Sequence, residues 1–176
     1  MNQDTILCLD DDVGRHEVFK AAMRDYRLVH TYEIVTFAQA VRETQDLVLI
    51  SLDHDLGGGV NRNRETEGCG CDAAELVGRY APPEVPVLIH SDNRPAAQAM
   101  RTILVRTGRN GRIGRVSFSA VADDHDSAMI LRLRTAVTEL IANPCWPDDV
   151  TTDDLLDLLG DDVSAVCPYR AAKGRR

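Results

Sequence analysis

Three short polar clusters carry the chemistry of this sequence: Asp10-Asp11-Asp12, Asp53-His54-Asp55 and His90-Ser91-Asp92-Asn93. Each follows directly on a short apolar run: ILCL at 6–9, LVLISL at 47–52 and VPVLI at 85–89. Carboxylates gathered in one place repel one another, and a divalent cation is the economical compensation. Oxygen ligands favour Mg²⁺, with Mn²⁺ or Ca²⁺ as alternatives. On this reading Asp10, Asp11 and Asp53 are metal ligands, and Asp55 either joins them or orients His54. Imidazole suits proton transfer, because its unperturbed pKa lies near neutrality. His54 and His90 are therefore the candidates for base and acid. Ser91 and Asn93 can donate hydrogen bonds to phosphate oxygens. The competing reading is that the acids only cap helices, which suits Asp12 and Asp92 well.

The clusters matter only if the elements that carry them converge. Ile6–Leu9 reads as a buried strand. His16–Arg24 reads as a helix with Val18, Phe19, Ala22 and Met23 on one side. Tyr32–Phe37 is the second strand candidate, and Ala38–Thr44 a short helix. Leu47–Leu52 shows no polar alternation apart from Ser51, the mark of a central parallel strand. A Gly-rich polar stretch, Leu56–Gly70, leads to a helix at Cys71–Tyr80 that Ala81-Pro82-Pro83 stops. Val85–Ile89 is a further buried strand. Pro95 suits the first turn of a helix reaching about Arg106. Gly108–Gly114 is a basic loop, Arg115–Val121 a fifth strand, and Ser127–Ile141 an amphipathic helix. Strands alternating with helices imply an α/β fold with a parallel sheet covered on both faces. The expectation is a doubly wound five-stranded sheet in the order 2-1-3-4-5. Residues 1–142 form that domain. Residues 143–176 are an appendage, broken by Pro144, Trp146 and Pro147, with a short acidic helix at Asp153–Leu159 and a disordered end. Ligands of such sheets bind at the carboxyl ends of the strands. Neighbouring strands lie about 4.8 Å apart, so the three clusters must crowd together.

Composition narrows the function. The chain has 176 residues, 44% apolar and 27% charged, which is ordinary for a globular protein and excludes collagen-like, disordered and disulfide-framework classes. No apolar run approaches the roughly 20 residues of a membrane span. No basic segment precedes the first apolar stretch, so the cytoplasm is the expected location. A net charge of −8, from 28 acids against 20 bases, argues against duplex DNA as a partner. Arg15, Arg62, Arg64 and Arg94 are candidates for phosphate binding. Arg62 and Arg64 lie in the 56–70 loop, which is either a substrate lid or a solvated connection. The basic segment Arg109–Arg115 joins a helix to a strand and so lies at the opposite edge, solvated or against a partner. Gly57-Gly58-Gly59 has no following Gly-Lys-Ser/Thr and is not a phosphate-binding loop. Cys69-Gly70-Cys71 could seed a metal site, but no Cys/His pair elsewhere completes a zinc pattern, and reduced structural thiols are the preferred reading. His16, His30 and His125 lack comparable company and read as surface or core residues.

The whole pattern resembles the response-regulator receiver fold over about residues 5–140. The acidic pair matches Asp10 and Asp11, the phospho-acceptor matches Asp53, and the hydroxyl after the fourth strand matches Ser91. One departure is plain. Receivers carry a lysine after the fifth strand that contacts the phosphoryl group. Here Ala122-Asp123-Asp124 follows, and the two lysines of the chain are Lys20 and Lys173. The segments LDDD, SLDHDLGG, the Gly-Cys-Asp helix start and LIHSDN look more like the cyclic-phosphate processing receiver-like family, over most of 5–107. That resemblance implies a receiver offshoot acting on cyclic phosphate or nucleotide ligands, RNA ends included. The leading expectation is a metal-assisted phosphoesterase whose partner is a small phosphorylated nucleotide or an RNA 3′ end. The alternative is a non-catalytic module that binds or sequesters such a nucleotide, or a protein partner. A third is a phosphorylatable receiver using Asp53. Receivers dimerise through the helix after strand four and through strand five, so analogy implies a homodimer as one arrangement.

Overall fold

The computed structural model describes residues 3–56, 68–109, 112–118 and 125–142. Five strands and five helices alternate along them. They are β1 (Thr5–Leu9), α1 (Val13–Ala22), β2 (Arg27–Thr31), α2 (Ile34–Glu43), β3 (Leu47–Leu52), α3 (Gly70–Tyr80), β4 (Val87–Ile89), α4 (Arg94–Arg106), β5 (Ile113–Arg115) and α5 (His125–Ala142). All strand pairs are parallel, in the order β2-β1-β3-β4-β5. The expected α/β class and strand order are therefore observed. Expectations for Arg62, Arg64, the glycine run at 57–59, Asp123, Asp124, and everything from Asn143 onward lie outside the described residues.

Strand alternation sorts the core into two layers. Ile6, Cys8, Leu49 and Leu88 pack beneath Phe19 of α1, Met23 at its C-terminal cap, and Leu133, Val137 and Leu140 of α5. Leu7, Leu9, Ile50, Leu52, Val87 and Ile89 pack beneath Phe37 of α2, Ala73 and Val77 of α3, and Met100 and Leu104 of α4. The near-continuous apolar strands are explained by burial on both faces.

α1 begins three residues earlier than expected, at Val13, and two further boundaries differ. Tyr32–Phe37 is not a strand. β2 lies earlier, at Arg27–Thr31, and Ile34 opens α2. The β-branched and aromatic composition of Tyr32–Phe37 favours a strand, but the packing is helical. Phe37 and Val41 are buried four residues apart, while Val35 between them and the helix start is 78% exposed. β5 begins at Ile113, inside the segment read as a basic loop. Gly114 makes this possible, since a Cβ there would sit 3.2 Å from Leu140 Cδ2 of α5. Arg109 is likewise not solvated. It is 1% exposed, and its guanidinium donates to the carbonyls of Val77, Ala81, Pro82 and Val85 at 2.7–3.1 Å. It thereby ties together carbonyls at and just beyond the end of α3, where the helix ladder runs out of donors.

Candidate functional site at the carboxyl edge of the sheet

β1, β3 and β4 deliver their polar clusters to one edge. Asp10 is fully buried and follows Leu9 as β1 ends. Its Oδ1 accepts from the Asp12 backbone N at 2.8 Å and from Arg15 Nε and Nη2 at 3.0 and 2.7 Å. Asp12 itself caps α1, accepting from Gly14 N and Arg15 N at 2.7 and 3.2 Å, so the capping reading holds for this residue. That cap fixes the first turn of α1 and aims Arg15 back over the edge. Arg15 Nη2 also lies 2.9 Å from Asp53 Oδ2 and 3.5 Å from Asp11 Oδ1. Asp10, Asp11 and Asp53 each offer an oxygen within 4.8 Å of the other two. One guanidinium nitrogen thus occupies the middle of three carboxylates, where a cation is needed. These hard donors suit Mg²⁺ or Mn²⁺, and the position already selected by Arg15 is one that attracts positive charge. Asp55 is not part of this group.

The two histidines do not face each other across the edge as expected. His90 is 1% exposed, with Nε2 at 2.9 Å from Asp10 Oδ2 and Nδ1 at 2.7 Å from Ser51 Oγ. A carboxylate only accepts, so Nε2 carries the proton toward Asp10. The rings of Phe19 and Phe118 lie 5.0 and 5.8 Å from the imidazole and close it in. His54 is turned to the other face, against the start of α3. Its Nδ1 lies 2.7 Å from Asp55 Oδ1, so Nδ1–H is donated to the carboxylate and Nε2 is left with the lone pair. Asp55 therefore orients His54, one of its two expected roles. Strand parity explains the split. Asp10, Asp53 and His90 continue the rows Ile6-Cys8, Leu49-Ser51 and Leu88 that face α1 and α5. His54 continues the Ile50-Leu52 row that faces α2, α3 and α4.

The remaining candidates divide. Asn93 caps α4 through a bond from Ala96 N at 3.2 Å, and Ser91 Oγ accepts from Asn93 N at 3.2 Å. Both therefore have structural partners at the same edge. Asp92 is bonded by the Ser117 hydroxyl and is not the cap of α4. Arg94 opens α4. His16 and His30 were expected to be without company, yet they sit together. His16 Nε2 is 2.7 Å from the Asp10 carbonyl, and its Nδ1 meets His30 Nδ1. The signal that finds them is again parity, because His30 pairs in register with Cys8.

Electrostatics make the two buried acids unequal. Burial alone would raise Asp10, but the hydrogen bond and charge of His90, the Asp12 N–H and Arg15 outweigh it, and its pKa falls below the usual carboxylate value. Burial also acts on Asp53 and wins there. His90 and Arg15 offset it only in part, the negative Asp10 adds to it, and Asp53 is held above the usual value. Burial opposes the charge of Arg15, but Asp10 and Asp53 more than compensate, so it remains a fixed cation.

A family model for the cyclic-phosphate processing receiver domain matches residues 5–106. The chain belongs to this family. No curated protein matches it. Among solved structures, it is similar to the phosphorylated cyanobacterial phytochrome response regulator RcpA, at 14% identity and a TM-score of 0.57, covering 81% of this chain and 96% of that one. It is also similar to the receiver domain of the sensor histidine kinase PA1611 from Pseudomonas aeruginosa, at 16% identity and a TM-score of 0.55, covering 81% and 100%. That receiver carries a magnesium ion in its active-site cleft. A receiver domain of a LuxO repressor protein from Vibrio parahaemolyticus gives 15% identity and a TM-score of 0.55, covering 81% and 93%. At these identities the solved structures establish a shared receiver fold. Among the described residues, no helix is long and apolar enough to cross a membrane.

Proposed function

We propose that this family member is a metal-assisted phosphoesterase that opens a cyclic phosphate on a small nucleotide or an RNA 3′ end. The observation that carries this reading is the convergence of Asp10, Asp11 and Asp53 around the guanidinium of Arg15, beside the His54–Asp55 pair. Asp10, Asp11 and Asp53 would hold a divalent cation, Mg²⁺ or Mn²⁺, which would supply positive charge to the phosphoryl oxygens. Arg15, at the same edge, would offer its guanidinium to the phosphate, where its planar fork suits two oxygens. His54 takes the proton of the attacking water on Nε2, Asp55 holds the ring and stabilises the imidazolium, and the imidazolium returns that proton to the sugar oxygen that leaves phosphorus as the ring opens. His90 is a positioning residue here. Its ring is sealed below Asp10, donates to it and keeps it a carboxylate. Ser91, just after β4, and Arg94, at the start of α4, would add contacts to the phosphate from the β4 side.

A second reading is favoured by one observation. His90 is enclosed and both its ring nitrogens are bonded, to Asp10 and Ser51, so His54 is the one imidazole of the expected pair left for proton transfer. A site with a single proton-transfer group also serves a module that only binds or sequesters the nucleotide. A turnover screen separates the two. The protein is incubated with 2′,3′-cyclic nucleotides, cyclic mono- and dinucleotides and RNA ending in a cyclic phosphate, with Mg²⁺ or Mn²⁺ and again with EDTA. Metal-dependent ring opening is the expected result. Retained ligand without product supports the binding module, and neither outcome removes both readings.

A further inference from the structure

The sequence Cys69-Gly70-Cys71 has no place in the chemistry above, yet the fold gives it a third ligand. Cys69, Cys71 and His54 each offer an atom within 4.8 Å of the other two. We infer that these three residues form a second cation site, built for Zn²⁺ and distinct in ligand chemistry from the carboxylate centre. Two sulfurs and one imidazole nitrogen suit a thiophilic ion, whereas three aspartates suit a hard one. Tetrahedral zinc, with bonds of roughly 2.3 Å to sulfur and 2.0 Å to nitrogen, sets sulfurs about 3.8 Å apart and sulfur from nitrogen about 3.5 Å. The sulfurs therefore need to close by about 1.0 Å at most, and each sulfur on the nitrogen by about 1.3 Å at most, which is within rotamer adjustment.

The approach depends on the residue between the thiols. A Cβ on Gly70 would stand 2.4 Å from the Asp53 carbonyl oxygen and 2.6 Å from His54 Cα. Gly70 N donates to the His54 carbonyl at 3.0 Å. A bare glycine lets the first turn of α3 lie directly on the end of β3, with a cysteine on either side. Asp72 Oδ2 accepts from Cys69 N at 2.8 Å and fixes the backbone of the first thiol. Cys71 packs on the apolar layer of that face, and neither thiol is in a disulfide. His54 is 5% exposed, and its Nδ1–H is committed to Asp55, which leaves Nε2 as the nitrogen for the ion in the proposed site. A carboxylate holding the far side of a ligating imidazole is the usual support of a zinc histidine. Three protein ligands leave the fourth position to water or a bound molecule.

The site stands independently of the phosphoesterase reading and bears on it. An ion on His54 Nε2 takes the lone pair that proton transfer needs, so zinc loading and His54-dependent turnover exclude each other. The test is spectroscopic. Reduced, chelator-treated full-length protein is titrated with Co²⁺ and then with Zn²⁺. The expected result is one cobalt ion per chain with thiolate-to-cobalt charge-transfer absorption and tetrahedral d–d bands, both lost as zinc displaces it. Cys69→Ser and Cys71→Ser should each lose the bands. Asp55→Asn should weaken binding about 10- to 100-fold, as supporting carboxylates commonly do. Asp11→Asn, in the carboxylate centre, should leave the spectrum unchanged, which keeps this result apart from any failure of turnover. Circular dichroism reports the fold of each variant, with Cys71→Ala in reserve should Cys71→Ser not fold. Cobalt uptake without thiolate bands, or bands that survive loss of both thiols, overturns the site.

Discussion

Replacing Arg15 by methionine puts the organisation of the carboxylate centre to a direct test. The guanidinium bonds Asp10 at 2.7 and 3.0 Å and Asp53 at 2.9 Å. The Asp10 side chain is fully buried, that of Asp53 is 3% exposed, and that of Arg15 25%. Removing one partner of a buried ion pair costs about 3–5 kcal/mol, because it strands the other charge. Partial exposure of Arg15 screens the loss. Asp10 keeps His90 and the Asp12 N–H, and Asp53 keeps the His54 N–H. The lower end, about 3 kcal/mol, is therefore expected, a fall in Tm of roughly 6–12 °C for a chain of this size. Divalent cations should reverse the order. Arg15 and the ion compete for the same three oxygens, so the variant should bind Mg²⁺ at least tenfold more tightly. At saturating ion that returns about 1.4 kcal/mol or more relative to wild type. Thermal melts across a Mg²⁺ titration read both effects. An equal or smaller magnesium shift in Arg15→Met would refute the idea that Arg15 holds the place of a cation.

Three further substitutions probe other parts of the argument. Gly70→Ala forces a methyl against the Asp53 and His54 backbone, and should cost about 3 kcal/mol or more, the upper range for overpacking; a loss under about 1 kcal/mol in urea melts counts against the close approach. Arg109→Lys should destabilise by about 3 kcal/mol despite keeping the charge, since one ammonium cannot reach four carbonyls; wild-type stability there would show the carbonyls to be satisfied otherwise. His30 is held below an ordinary imidazole value, first by burial and then by the charge of His16, with Glu17 opposing. The folded state thus takes up this proton less readily than the unfolded chain. Its contribution is absent well above about pH 6.5 and destabilising as pH falls through that unfolded value. Denaturant midpoints should drop on acidification, and His30→Asn should flatten the drop; an unchanged slope would assign it to other groups.

Much of the fold was legible because two signals agreed. Leu47–Leu52 is apolar on both faces, and the three polar clusters each follow such a run, which sufficed for the parallel sheet and its functional edge. The capping role of Asp12 was also readable from its type and place. Tyr32–Phe37 was misleading because local β-propensity there opposes the tertiary packing of Phe37 and Val41. The roles of Arg15 and Arg109 were hidden for a different reason. An arginine reads as solvated or as a phosphate ligand in sequence, and only the backbone shows which carbonyls or carboxylates it can reach. Arg109 finds four carbonyls between Val77 and Val85, and Arg15 finds two aspartates from different strands.

The separation of His54 from His90 follows from the two-residue period of a strand. Any strand that ends at the binding edge offers its last residues alternately to one layer of helices and the other. Asp53 and His54 are neighbours in sequence, so they cannot serve the same layer. Asp53 meets Arg15 of α1 and shares its field with Asp10 and His90. His54 meets the start of α3, where Gly70 N bonds its carbonyl. Hard oxygen donors therefore gather over α1 and soft sulfur and nitrogen donors over α3, with only the rim above the sheet in common. A phosphate lying across that rim would touch Arg15 and the carboxylates on one side and His54 Nε2 on the other. This geometry makes the nitrogen a point of control. On the proposed reading, an open Nε2 lets both halves act on one ligand. When a thiophilic ion holds Nε2, the halves are uncoupled, while the carboxylate centre keeps its own charge balance through Arg15.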